Sequence, residues 1–388
     1  MNESALPARR LDQPLLGIVV LVVAVALSLG FISLFSWPTF RDWVSYGLVC
    51  AVPSLFVIGA FWHAECPGRI GRLGQPRRGL AFLGLALVNA AVIATLLIAL
   101  FGGGLTPPTP NVAHIAIMAV PYTFLLAVIW GGQPFRAISS PVLGGYLLML
   151  VAYGLSIVTY LVFANYSSFE GGPAYVATLD PHGPFDIWPV MTTVVTSMAA
   201  GLLLLHLGHW PLTERIRTNP TTAALASTGL IAVVTAVVEA IGVGLFGLPW
   251  PTMLTGVTVA FLFGSIVVQN ILQGTVPAPR AQPARGLVSA LIAAVVGVAL
   301  GQLYVLVLPA VADDVAFGAP GFQGEVWLAS ALLAVTFPLL AVMSDCFAFW
   351  PFVRVDPVAA LPGVSGVPET GVPDIGVPET GVPEATID

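Results

Sequence analysis

The chain has 388 residues, 57% hydrophobic and only 8% charged, with a net charge of -6; its thirteen basic residues are all arginine. A soluble domain carries about 25% charged residues, so this composition excludes a protein dissolved in water. The acidic balance excludes nucleic acid, which requires a basic face.

Ten apolar stretches succeed one another along the chain: 15–37, 43–62, 79–101, 112–131, 141–164, 187–207, 222–248, 252–274, 286–311 and 326–350. Each is about 20 residues or longer, enough to cross a hydrocarbon core of about 30 Å. The first is too long for the core of a signal peptide and no small-residue cleavage site follows it, so a retained span is expected after a short cytoplasmic segment, 1–14. With the N-terminus inside, Arg9, Arg10, Arg69, Arg72, Arg77, Arg78, Arg136, Arg215, Arg217, Arg280, Arg285 and Arg354 fall inside, and Arg41 alone falls outside. That is the positive-inside pattern at every inner loop. The reading is an all-α polytopic integral membrane protein with ten transmembrane helices in the cell membrane, its transmembrane domain spanning 15–350 and both termini cytoplasmic.

The inner ends of the even stretches resemble one another. Trp130, Pro134 and Arg136 are followed by Pro141; Trp210, Pro211 and Arg215 by Pro220; and Trp350, Pro351 and Arg354 by Pro357. Weaker copies are Trp62, Pro67 and Arg69 followed by Gln75-Pro76-Arg-Arg-Gly79, and Arg280 followed by Gln282-Pro283-Ala-Arg-Gly286. Each junction makes physical sense. A tryptophan anchors at the interface with its N–H toward water. The first proline ends one helix and the second suits the opening turn of the next. The pattern predicts five copies of one helical hairpin in the same orientation. From 351 the tail becomes rich in Gly, Pro and acid, with Gly-Val-Pro-Glu-Thr copies after 366. It is expected to be extended and disordered, and either to offer a contact for a cytoplasmic protein partner or to be a neutral expanded repeat.

Ionisable and amide groups at membrane depth invite a functional reading. Glu239 lies in the outer half of the seventh stretch and Gln302 at a comparable height in the ninth. Asn89 is near the middle of the third, and Gln269 and Asn270 are in the inner part of the eighth. Together they would line a polar cavity, or serve only as hydrogen bonds between helices. His206 and His209 have the i, i+3 spacing that puts two imidazoles on one helical face. On the outer side, His114 opens the fourth stretch, and the loop 165–186 carries Asp180, His182 and Asp186, with Glu325 ending the last outer loop. Mixed imidazole and carboxylate ligands suit zinc, copper or non-haem iron. The competing reading is that Asp180-Pro and His182-Gly-Pro make turns and that Asp186 caps the sixth helix.

No Gly-x-Ser-x-Gly elbow, His-Glu-x-x-His pair or Walker loop occurs, and without lysine no retinal Schiff base can form. Cys50, Cys66 and Cys346 give no disulfide framework, and no cofactor is identifiable. Three functions remain. One is a permease or secondary carrier for a small neutral or apolar molecule, with Glu239 exchanging a proton and Asn89, Gln269, Asn270 and Gln302 touching substrate. The second is a metal-dependent membrane enzyme using His114, Asp180, His182 and Asp186. The third is a non-catalytic subunit or scaffold.

Overall fold

A computed structural model describes residues 11–353, except 105, 173–174, 276–280, 313–314 and 320; the side chains of 214 and 215 are also outside the description. The expected tail from 354 onward, with its partner contact, lies outside the described residues, as do Arg9, Arg10, Arg280 and Arg354.

Ten helices are long and apolar enough to cross a membrane: α1 Leu15–Ile32, α2 Trp37–Phe61, α3 Arg77–Phe101, α4 Pro110–Ile129, α5 Pro141–Phe163, α6 Ile187–His206, α7 Pro220–Leu245, α8 Trp250–Ile271, α9 Ala284–Val311 and α10 Gln323–Cys346. The described strands are a two-residue pair, β1 Ala164–Asn165 and β2 Phe185–Asp186, running parallel. One boundary differs from the hydropathy reading: α1 stops at Ile32, and Trp37 opens α2 instead of closing α1. Pro38 at the first helical turn explains this, because its fixed φ starts a helix where hydropathy registers no break. Pro110, Pro141 and Pro220 open their helices in the same way.

The ten helices form two layers. The even helices pack side by side in the order α2, α4, α6, α8, α10 and back to α2. Each odd helix lies outside, in the groove between two of them: α1 between α8 and α10, α3 between α10 and α2, α5 between α2 and α4, α7 between α4 and α6, and α9 between α6 and α8. Burial follows from that placement, at 67% to 78% of an apolar 18-residue stretch in each even helix and 17% to 39% of one in each odd helix. The tightest crossing joins α8 to α9, where a Cβ on Gly264 or Gly297 would stand 1.8 Å from a carbonyl oxygen of the other helix. Only glycine permits that approach.

The inner helices share irregularities that the outer ones mostly lack. A π-helical turn starts four residues after Pro53, Pro121 and Pro338, at Val57–Phe61, Leu125–Ile129 and Val342–Cys346. A proline withholds the N–H that the regular helix needs. The α8 turn Val267–Ile271 has the same form without a proline. All five even helices then end in two successive left-handed residues: His63 and Ala64, Gly131 and Gly132, Gly208 and His209, Gln273 and Gly274, Ala348 and Phe349. The second N–H of each pair returns to a carbonyl near the helix end, as in Ala64 N to Ile58 O and Phe349 N to Met343 O, both 2.8 Å. Such returns satisfy carbonyls that a helix terminus leaves orphaned.

Three odd helices begin with the same clamp. Gln13, Gln75 and Gln282 each accept from the backbone N–H four residues on, at Gly17, Gly79 and Gly286. Each side-chain amide also donates to the last turn of an even helix: Ile271 O at 3.0 Å, Cys346 O at 2.8 Å and His206 O at 3.2 Å. Glycine is needed on the helix side, since a Cβ at Gly17 would meet Ile271 O at 2.6 Å. At α5 and α7 the cap is Ser140 or Asn219, accepting from the N–H three residues on. The tryptophans depart from the interfacial expectation. Trp62 donates to Pro141 O at 2.8 Å and Trp130 to the Thr228 hydroxyl at 3.0 Å, tying α2 to α5 and α4 to α7. Their N–H groups turn to protein rather than water because the neighbouring odd helix covers them. Trp210 and Trp350 remain exposed.

Candidate functional site

A cavity of about 130 Å³ lies inside the ring of even helices, lined by those five and by none of the outer helices. Its upper lining is Ser45, His114, Trp188, Leu254 and Glu325, near the beginnings of the five helices. Two to three turns deeper the lining is Val52, Pro121, Met198, Leu262 and Phe337. The wall between is almost wholly aliphatic. Beneath it the ring of Phe56 packs against Phe124 at 5.9 Å and Phe337 at 5.5 Å. Gly201 of α6 makes room for this cluster, since a Cβ there would stand 2.8 Å from Phe124 Cε1. The aromatic layer thus joins α2, α4, α6 and α10 below the cavity.

Glu325 and His114 reach the cavity near its upper end, where Tyr46 also lines it. Glu325 is buried. Its carboxylate accepts from the Thr252 hydroxyl at 3.2 Å and from Gly318 N–H at 3.1 Å, which fastens α10 to α8 and to the preceding loop. His114 is buried against Phe169 and Trp188, with Nδ1 2.9 Å from the Tyr166 hydroxyl. Tyr166 belongs to the loop between α5 and α6, and burial holds its hydroxyl well above the usual tyrosine range. It stays a neutral hydroxyl at any ordinary pH.

That loop is closed by its own carboxylates. Asp180 accepts from Tyr166 N–H at 3.2 Å, from the Tyr175 hydroxyl at 3.3 Å and from His182 N–H at 2.8 Å. Asp186 caps α6 through Trp188 N–H at 3.0 Å and takes the Ser167 hydroxyl and Ser168 N–H. His182 sits in a left-handed turn, and its exposed ring lies 3.7 Å from Asp180. The four residues read as metal ligands are therefore divided between a turn, a cap and a cavity wall. Among the described residues no group of three or more His, Cys, Asp or Glu side chains is placed to hold a metal. The His206 and His209 pair is also separated: His206 bonds to Ser289 of α9 at 2.9 Å, while His209 lies beyond the helix in a left-handed turn.

The five intramembrane polar residues do not line the cavity. Glu239 on α7 accepts from Thr193 of α6 at 3.1 Å, Asn89 on α3 from Tyr146 of α5 at 3.4 Å, and Gln269 donates to Leu202 O of α6 at 3.4 Å. Asn270 and Gln302 are exposed. Glu239, Asn89 and Gln302 are on outer helices, so their side chains cannot reach a cavity enclosed by the inner ring. Pro53, Pro121 and Pro338 lie inside three of the even helices and Pro309 in the last turn of α9; neither these prolines nor Tyr166 carries a sequence signal that marks the cavity. No protein-family model matches the chain, and neither a curated protein nor a solved structure shows significant similarity to it.

Proposed function

We propose that the protein is a proton-coupled carrier for a small, neutral, largely apolar molecule, with the cavity inside the even helices as its binding site. The observation that carries this reading is the cavity itself, bounded by five helices and underlain by the Phe56, Phe124 and Phe337 layer. A dry apolar cavity of about 150 Å³ admits benzene, so an occupant of roughly six or seven heavy atoms fits. Such a molecule crosses lipid unaided, so a carrier gains something only by coupling its passage to an ion gradient. The carboxyl group on the cavity wall is Glu325, and the proton role expected at Glu239 passes to it.

The same reading takes the chain as five copies of one hairpin with both termini cytoplasmic. Three features support the repeat: the constant rule by which each odd helix enters a groove, the shared glutamine clamp, and the paired left-handed residues after each even helix. The arginine distribution supports the orientation. The cavity then opens toward the outside of the cell.

The test is proton movement in proteoliposomes containing a trapped pH dye, challenged with neutral alcohols, ketones and aromatic hydrocarbons of roughly six or seven heavy atoms. At least one compound should drive a proton flux. Ala334→Trp, which fills the cavity, and Glu325→Gln should each reduce that flux at least tenfold, while Glu239→Gln leaves it unchanged. Silence across the whole panel, or full flux through Ala334→Trp, would reject the reading.

A further inference from the structure

The hydrogen-bonding state of His114 narrows the class of occupant. Tyr166 is 5% exposed, and its hydroxyl has His114 Nδ1 as its hydrogen-bond partner among the described residues. Were Tyr166 to accept from Nδ1–H, its own buried proton would lack an acceptor, at the full desolvation cost of a hydroxyl. Tyr166 therefore donates to Nδ1, and the neutral imidazole carries its proton on Nε2. Nε2 has no protein partner among the described residues and is not sealed within the packing. His114 is one of the residues that line the cavity, which gives this N–H a space to donate into. The hydroxyls of Ser45, Tyr46 and Thr255 are spent on Arg41 O, Ala94 O and Pro251 O. What remains on the wall, besides the Glu325 carboxylate, is three donors, His114 Nε2–H, the Trp188 indole N–H and the Ser330 hydroxyl, in otherwise apolar surroundings.

A few placed donors in an apolar pocket select the polar group of the ligand. A carbonyl oxygen accepts without bringing a proton that must itself be satisfied, and without a charge to desolvate. We infer that the cavity binds small neutral carbonyl compounds, ketones or aldehydes, with the oxygen on His114 Nε2–H and the apolar body directed toward Phe337. This rests on the reading of the cavity as the ligand site.

The probes are cyclohexanone and its carbon isostere methylenecyclohexane, bound to the full chain in detergent and followed by the rise in unfolding temperature. Cyclohexanone should bind about tenfold more tightly, which corresponds to about 1.4 kcal/mol. Its infrared carbonyl band should lie at lower frequency in the complex than in hexane, where the oxygen has no hydrogen bond. In His114→Phe the preference should fall to about one while methylenecyclohexane still binds. In Tyr166→Phe, which keeps the imidazole but frees its tautomer, the preference should weaken. Equal affinity for the two probes, no binding of either, or a preference that survives in His114→Phe overturns the inference. If His114→Phe fails to fold, an unshifted carbonyl band in the wild-type complex overturns it instead. Because binding is read without transport, ketone preference with no proton flux would reject the carrier and leave this inference standing.

Discussion

Two carboxylates that suggest metal ligation in the sequence, Asp180 and Asp186, are spent on backbone N–H groups and hydroxyls of one loop. The capping alternative at Asp186 was legible, because Asp followed by an apolar helix is an N-cap signal. The partners Ser167 and Ser168 were not, since they arrive from 19 and 18 residues upstream through the β1–β2 pairing. Loss of an N-cap costs about 1 kcal/mol and each further hydrogen bond about as much. Asp186→Ala should therefore lower stability by roughly 2–3 kcal/mol in thermal unfolding, and Asp186→Asn should recover part of it. An unchanged unfolding temperature in Asp186→Ala would remove the capping account. Glu239 and Glu325 show the converse case. The sequence marks Glu239 because it lies deep in an apolar stretch, yet Glu325, at a helix start, is the carboxyl that meets the cavity. Depth is a property of the sequence; which way a side chain faces depends on the neighbouring helices.

At the scale of elements, the existence and number of helices were legible, because an uninterrupted apolar stretch in lipid has to satisfy its own backbone. Their division into two layers was less so. Mean hydropathy is 1.7 to 2.2 for the even helices and 2.0 to 3.0 for the odd ones, an overlapping difference. It has a physical cause: outer helices meet lipid on most sides, whereas inner ones carry prolines, hydroxyls and small residues at contacts. The glutamine clamps give this scale its test. Each of Gln13, Gln75 and Gln282 makes two bonds joining an odd helix to an even one. At about 0.5–1.5 kcal/mol per bond, Gln→Ala at each position should cost roughly 1–3 kcal/mol. If the hairpins are copies, the three losses measured by thermal unfolding should agree within a factor of about two. A cost at one site alone would mean that the clamps are unrelated.

For the whole molecule, orientation is the property that can be checked without knowing a ligand. Cys50 and Cys346 are buried, so a Cys66→Ser background leaves no accessible thiol among the native cysteines. Into it Ser168→Cys, between α5 and α6, should react with a membrane-impermeant thiol reagent on intact cells. Ser140→Cys, before α5, should react only after permeabilisation. The reverse result would turn the molecule over and direct the cavity inward. The sequence by itself determined a membrane protein with ten helices, because hydrophobicity and length are summed along the chain and need no knowledge of neighbours. It also shows proline, glutamine and tryptophan at several of the helix junctions. Only the tertiary structure decided that the even helices close into a ring, that the cavity lies within it, and that His114 and Glu325 reach that cavity while Glu239 does not. Those outcomes depend on which helix faces fit together, through contacts such as Gly264 against Ala293 and Gly201 against Phe124. Each such contact joins residues distant in the chain, and hydropathy along a single helix contains no record of them.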